Sequence, residues 1–253
     1  MVNDWRETPD AHLDPVVAAS YDTVHTRESA PASVDAAVAV LADVAGDGAA
    51  VEFAIGTGRI AVPLSNRGVS VSGMDISEPM LEQLRTKPGA DSIHAVVGDM
   101  TSTTLGDDFA VAYLVYNTIM NLRTQQAQVA CFANAARHLR PEGRFVIEVM
   151  VPELHRLGAG ETVLPFDLSD HHLGFDEYVD LVEQILLSHH VHIDGDRVRR
   201  SSPAFRYVWP SELDLMARLA GLELEHRWAD WQRTPFDTDS TGHVSVWRKP
   251  APR

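Results

Sequence analysis

Val51-Glu-Phe-Ala-Ile-Gly-Thr-Gly58, followed after a further apolar run by Met74-Asp75, decides how the rest of the chain is read. Val51 to Ile55 is an apolar run of strand length, and Gly56-Thr57-Gly58 is a tight turn. Arg59 to Asn66 has helical spacing, and Val69 to Asp75 reads as a second strand that ends on a carboxylate. The unit is strand, glycine turn, helix, strand, acid. The glycines let backbone approach a ligand where a Cβ would clash. Asp75 stands where an acid can grip the vicinal hydroxyls of a ribose. The unit therefore predicts a bound adenosine-type cofactor. A phosphate-binding loop is excluded, because no Lys-Ser/Thr pair follows the glycines. A dinucleotide fingerprint fits poorly, because Arg59-Ile60-Ala61 follows where the third glycine would stand.

Working outward, further motifs follow in order. Glu52 with Gly56 and Gly58 resembles the first motif of the class I S-adenosylmethionine-dependent methyltransferases, an acid followed by spaced glycines; Ala54 replaces the first glycine. Gly73-Met-Asp75-Ile76-Ser-Glu-Pro-Met80 resembles that family's second-strand acid and the helix start after it. Gly98-Asp99-Met100 is similar to the end of its third strand, where the adenine is held. Tyr116-Asn117-Thr118 is similar to the active-site edge after its fourth strand, and Leu139 to Glu148 to its helix-to-fifth-strand turn. The likeness covers roughly residues 50–150. It implies an α/β fold with a doubly wound, mostly parallel, Rossmann-like sheet. It also implies S-adenosyl-L-methionine as cofactor and S-adenosyl-L-homocysteine as product. The cofactor-binding set it implies is Tyr21, Glu52, Ala54, Gly56, Gly58, Asp75, Ile76, Met80, Asp99, Met100, Val115 and Tyr116.

The 253 residues fit one domain with an insertion, and the 45% hydrophobic fraction is that of an ordinary globular chain. No apolar run is long enough to cross a bilayer, and Met1-Val-Asn-Asp-Trp-Arg-Glu does not read as a signal peptide. A single Cys131 allows no internal disulfide, so a reducing, cytoplasmic setting is expected. The formal net charge of -15 argues against a nucleic-acid binder and is compatible with a cationic small substrate.

Strands are expected near 51–55, 70–75, 93–97, 109–116 and 143–149, with helices near 59–67, 77–86 and 124–138. Residues 1–14 read as a mobile lead, ordered structure begins between Pro15 and Tyr21, and Ser33 is a cap candidate for a helix to Val44. After Met150 the pattern changes. Residues 151–172 read as irregular. Extended runs then cover Phe175–Leu181, Ile185–Ile193 and Val198–Val208, with Asp194-Gly195-Asp196 as a hairpin turn. This is an antiparallel β insertion after the fifth strand. The expected division is 1–150 for the lead and cofactor half, 151–208 for the substrate-side insertion, and 209–253 for a helix and closing strand pair. The insertion reads as a lid or platform over the sheet's carboxyl edge. The alternative is a dimerisation hairpin, giving a homodimer.

Tyr21-Asp22 precedes the core, and in small-molecule methyltransferases a Tyr-Asp pair there folds over the cofactor. Glu148 ends the fifth strand beside the expected transfer centre, so Tyr21, Asn117 and Glu148 are the catalytic candidates. Phe175, Tyr178 and His190 are the substrate candidates on the insertion. His190 and His192 share a strand face while His189 points away. With His171-His172 they invite a metal reading, but no acid or Cys completes a clear ligand set, and no metal is expected. The chain is similar to sugar N-methyltransferases of natural-product and antibiotic biosynthesis, such as desosamine N,N-dimethyltransferases. The leading reading is methyl transfer to an amino group of an amino sugar or similar small molecule. The alternatives are O-methylation of a hydroxyl and a non-catalytic S-adenosylmethionine-binding protein.

Overall fold

The computed structural model describes residues 5–7, 13–24 and 31–252. Most of the lead read as mobile lies outside them, apart from one 3-10 turn at Trp5–Glu7 and residues 13–14. Helices α1 (Pro15–Val24) and α2 (Pro31–Ala45) precede the sheet. Proline is tolerated in a helix's first turn, where its missing N–H has no partner to lose. α2 therefore starts at Pro31, and Ser33 lies inside that turn rather than capping it.

Strands and helices then alternate: β1 (Ala50–Phe53), α3 (Ala61–Asn66), β2 (Val71–Asp75), α4 (Glu78–Arg85), β3 (His94–Val97), β4 (Phe109–Leu114), α5 (Gln125–His138) and β5 (Leu139–Met150). Five short strands follow: β6 (Val163–Leu168), β7 (His172–Asp180), β8 (Ile185–Asp194), β9 (Arg197–Ser201) and β10 (Ala204–Arg206). The chain closes with α6 (Pro210–Leu219), β11 (Glu223–Trp228) and β12 (Gly242–Arg248).

The main sheet has the order β11-β12-β5-β4-β1-β2-β3. The pairs from β3 through β5 are parallel, and β12 runs antiparallel to both β5 and β11. The order reverses between β1 and β4. That is a topological switch point, where open α/β sheets bind ligands beyond the strands' carboxyl ends. Alternation along the strands feeds two cores. Val51, Phe53, Leu114 and Ile147 pack with residues of α5 and α6, while Ala50, Val111, Tyr113 and Val146 pack with α2, α3 and α4. Phe132 meets Phe145 and Trp247 edge-on at 5.1 and 5.4 Å between centroids. Each such pair contributes about 0.5–1.5 kcal/mol beyond its buried area.

The second sheet has the order β10-β8-β7-β6, with β9 on the outer half of β8. Two expectations need correction here. Residues 151–172 are not wholly irregular, since β6 pairs with β7 from Val163↔Glu177 to Leu168↔Leu173. Pro165 and a register shift interrupt that ladder and hide it in the sequence. The run Val198–Val208 is two strands, broken at Ser202-Pro203, because a proline cannot donate to a ladder. This sheet is joined to the main core, because Tyr178 and Leu186 are buried in the same cluster as Tyr207, Val208 and Leu213.

Candidate active site

The turn after β1 uses three left-handed residues, Ala54 (φ 53°), Gly56 (φ 55°) and Gly58 (φ 74°). The two glycines have different reasons to be glycine. A Cβ on Gly58 would lie 2.2 Å from Leu84 Cδ1, so this position lets the turn pack on α4. A Cβ on Gly56 would meet nothing nearer than Asp75 Oδ2 at 3.9 Å, so Gly56 keeps open the space above the sheet.

That space is a cleft of about 1030 Å³, counted out to open solvent, at the switch point. Its wall contains Tyr21, Glu52, Ala54, Gly56, Asp75, Ile76, Met80, Asp99, Met100, Val115 and Tyr116. These are all of the expected cofactor-binding residues except Gly58.

Asp75 ends β2 and is buried. Its Oδ2 accepts the Gly56 N–H at 2.7 Å and its Oδ1 accepts the Ser77 N–H at 2.8 Å. The same carboxylate thus ties the glycine turn to the start of α4, where Ser77 Oγ caps Met80 N–H. Ile76 beside it is 55% exposed and offers an apolar surface.

Glu52 lies in mid-strand, buried on every side, with Tyr113 Oη 3.0 Å from its Oε2. Burial pushes its carboxyl up to about 8. The hydrogen bond from Tyr113, the nearby Arg59 charge and the Ala61 N–H pull the other way without winning.

Tyr21 reaches the cleft because α1 is pinned over it. Asp22 Oδ1 accepts from Thr57 Oγ1 at 2.7 Å, and its other oxygen pairs with Lys87. Asp99 lines the cleft but also closes its own turn, accepting from both the N–H and the hydroxyl of Thr101 at 2.7 Å.

Six expected residues fall outside the wall. Gly58 serves packing, as above. Glu148 Oε2 accepts the Tyr116 N–H at 2.9 Å, and Asn117 Oδ1 accepts the Met150 N–H at 2.7 Å. The two staple β5 to the turn after β4, where Tyr116 and Asn117 both have positive φ. They position Tyr116 from behind and do not line the cleft. Tyr178 is buried against Tyr207 in the core. Phe175 stacks on His189, and His190 stacks on His172 in the second sheet. Alternation along β7 turns Phe175 to the face opposite Gly174 and Asp176.

The wall also holds Ile55, Thr57, Arg59, Ile60, Gly98, Thr118, Asn121 and Leu122, which the sequence did not single out as site residues. Arg59 lies over the Tyr116 ring, 5.6 Å from its centroid. The turn Thr118–Asn121 follows directly on the motif already noted at Tyr116, which was the available signal.

A family profile described as a methyltransferase domain matches residues 50–143, the segment that supplies every described wall residue except Tyr21. The chain is similar to the solved CcbJ methyltransferase from Streptomyces caelestis. The two are 35% identical over 93% of this chain and 96% of that one, with a TM-score of 0.81. The chain belongs to the class I S-adenosylmethionine-dependent methyltransferases.

It is also 27% identical, over 68% of its length and 71% of the relative's, to a cypemycin N-terminal methyltransferase from a Streptomyces species. The fold is shared with SAM-bound CalS10, an amino pentose methyltransferase from Micromonospora echinaspora, at 17% identity and a TM-score of 0.68. That alignment covers 96% of this chain and all of the other. Among the described residues of this methyltransferase, no helix is long and apolar enough to cross a membrane.

Proposed function

We propose that this methyltransferase binds S-adenosyl-L-methionine in the switch-point cleft and methylates an amino group of a small, amino-sugar-like natural product. The observation that carries the cofactor assignment is Asp75, a buried carboxylate at the carboxyl end of β2 and bonded to the glycine turn. The residues present suit the group. Asp75 can accept from ribose hydroxyls, Ile76 and Met80 offer apolar surface for the base, and Asp99 brings acidic character. When bound, S-adenosyl-L-methionine supplies an electrophilic methyl group on a sulfonium.

The chain's own work is to hold the acceptor nitrogen in line and to exclude water. Such positioning can contribute about 7–11 kcal/mol to a two-body reaction. Tyr21 and Tyr116 offer aromatic faces that favour a nearby cation. No histidine is among the described residues of the wall. That suits an amine, whose lone pair needs only its ordinary deprotonation, better than a hydroxyl, which needs a base to become a nucleophile. The names of the cypemycin and amino pentose relatives support the same choice. A cytoplasmic setting belongs to the proposal too and rests on the free, buried Cys131.

The test pairs binding with turnover. Calorimetry with S-adenosyl-L-homocysteine on Asp75→Asn should give an affinity lower by about 1.5–3 kcal/mol, the worth of a hydrogen bond to a charged group. A melting curve beside it separates loss of the ribose contact from loss of the turn. Mass spectrometry of a panel of amino sugars and matched hydroxyl sugars should then find methylated amines. Undiminished affinity in Asp75→Asn would remove the cofactor assignment, and methylation confined to hydroxyls would remove the acceptor assignment.

A further inference from the structure

The second sheet brings together three imidazoles that the cleft does not use. His172 and His192 face each other across β7 and β8, and His190 lies two residues from His192 on the same face. One ring nitrogen from each lies within 4.8 Å of the other two. The rings stack nearly parallel, at 4.4 Å between His172 and His192 and 5.2 Å between His172 and His190. Gly174 stands opposite His190, and a side chain there would strike Phe166, whose ring instead closes over His190 at 5.4 Å. The result is a half-buried, aromatic-walled cluster outside the cleft.

The partners of these rings dictate where their protons sit. His172 Nδ1 is 2.8 Å from the Asp167 carboxylate, so it carries the hydrogen and leaves Nε2 bare. His190 Nε2 is 3.2 Å from Ser188 Oγ. His172 Nε2 and His190 Nδ1 face each other at 3.0 Å, a hydrogen bond whose one proton a divalent cation would replace.

We propose that His172, His190 and His192 bind a borderline first-row divalent cation of the zinc class, with Asp167 orienting His172 from behind. Three neutral imidazoles are a donor set for such an ion, with a further position left to water. Metal–nitrogen bonds of about 2.0–2.1 Å in tetrahedral array place donor nitrogens about 3.4 Å apart. Small rotations about the broad Cβ–Cγ torsions reach that spacing from the present one. The carboxylate–histidine pair fixes the tautomer and raises the ring's basicity, as it does at many zinc centres. The ion would staple β6, β7 and β8 together. Its role is structural, since none of these residues lines the cleft.

The experiment uses the full chain without an affinity tag, treated with chelator and dialysed. Calorimetry with ZnCl₂ should show one tight equivalent, and CoCl₂ should give the visible absorption of a tetrahedral histidine site. His192→Ala and His190→Gln should each weaken binding at least about 100-fold, and Asp167→Asn about 10- to 100-fold, the usual effect of losing an orienting partner. His189→Ala, on the opposite face, should bind as the parent does. Zn²⁺ should raise the melting temperature of the parent and not that of His190→Gln. Should a histidine variant fail to fold, Asp167→Asn with the cobalt spectrum still decides. Equal zinc affinity in the parent, Asp167→Asn and every foldable histidine variant would overturn the proposal, as would the absence of a tight equivalent in the parent.

Discussion

Glu52 is the residue whose chemistry departs furthest from its ordinary behaviour. A carboxyl group wholly surrounded by β-sheet and α3 loses its hydration, and burial moves its pKa from 4.5 up to about 8. In the unfolded chain it would titrate at the ordinary value. The folded state therefore holds a proton that the unfolded state has released over the interval between the two. Its contribution to stability is complete below 4.5 and is lost as pH rises through about 8. The slope from one such group is about 1.4 kcal/mol per pH unit inside that window. Glu52→Gln keeps an acceptor for Tyr113 and removes the titration. Melting temperatures from pH 5 to 8.5 should therefore fall more steeply for the parent than for Glu52→Gln. Parallel curves would mean that Glu52 is ionised in the folded protein.

Among the elements, β10 links the second sheet to the cleft. Arg206 is buried there, and its guanidinium donates to Gln128 of α5, to Gln184 before β8 and to Glu212 of α6. Gln128 in turn donates to the Ile119 carbonyl, in the turn that forms one wall of the cleft. Arg206→Met would leave the Glu212 carboxylate without its cation, and breaking one side of a buried pair costs about 3–5 kcal/mol. Urea unfolding should show that loss. The double variant Arg206→Met/Glu212→Leu should recover much of it, because no lone charge remains. A single variant as stable as the parent would show that this bridge is not a fastening. The parallel half of the fold was legible because each element carries its own signal: an apolar strand, Gly56, a Ser77 cap before α4 and Asp75 at the strand end. The second sheet was less so. Pro165 obscured β6, and Pro203 split what read as one strand. Most of the cleft wall was legible from motifs, whereas the backbone bonds of Glu148 and Asn117 were not, because a strand-end acid or amide looks the same whether it faces a ligand or a backbone N–H. The tertiary contact from β5 to Tyr116 decided that, and spacing within one strand carries no trace of it.

The molecule as a whole is an acidic body with an acidic cleft. It carries 36 acidic and 21 basic residues, a formal charge of -15, and the described cleft wall has Asp75 and Asp99 against Arg59, with Glu52 holding its proton at neutral pH. A field of that sign concentrates cations near the opening and speeds their encounter, and salt removes the effect. The screening length falls from about 30 Å at 0.01 M to about 3 Å at 1 M salt. An amine acceptor is mostly a cation before it binds, whereas a hydroxyl acceptor is neutral. Measured with saturating cofactor, kcat/KM for an amino sugar should fall several-fold across that range, while kcat changes little. The value for a matched neutral hydroxyl sugar should stay flat. Raising the pH should speed the amine reaction as the free base becomes available, yet weaken its salt dependence, because the encounter then involves a neutral molecule. Those two trends have a common origin in the acceptor's own titration and not in a side chain of the enzyme. A salt-independent kcat/KM for the amine at a pH where it is charged would mean that the protein's field plays no part in capture. A rate whose pH dependence ignored the acceptor's pKa would point instead to a base supplied by the wall of the cleft, and with it to a hydroxyl as the natural methyl acceptor.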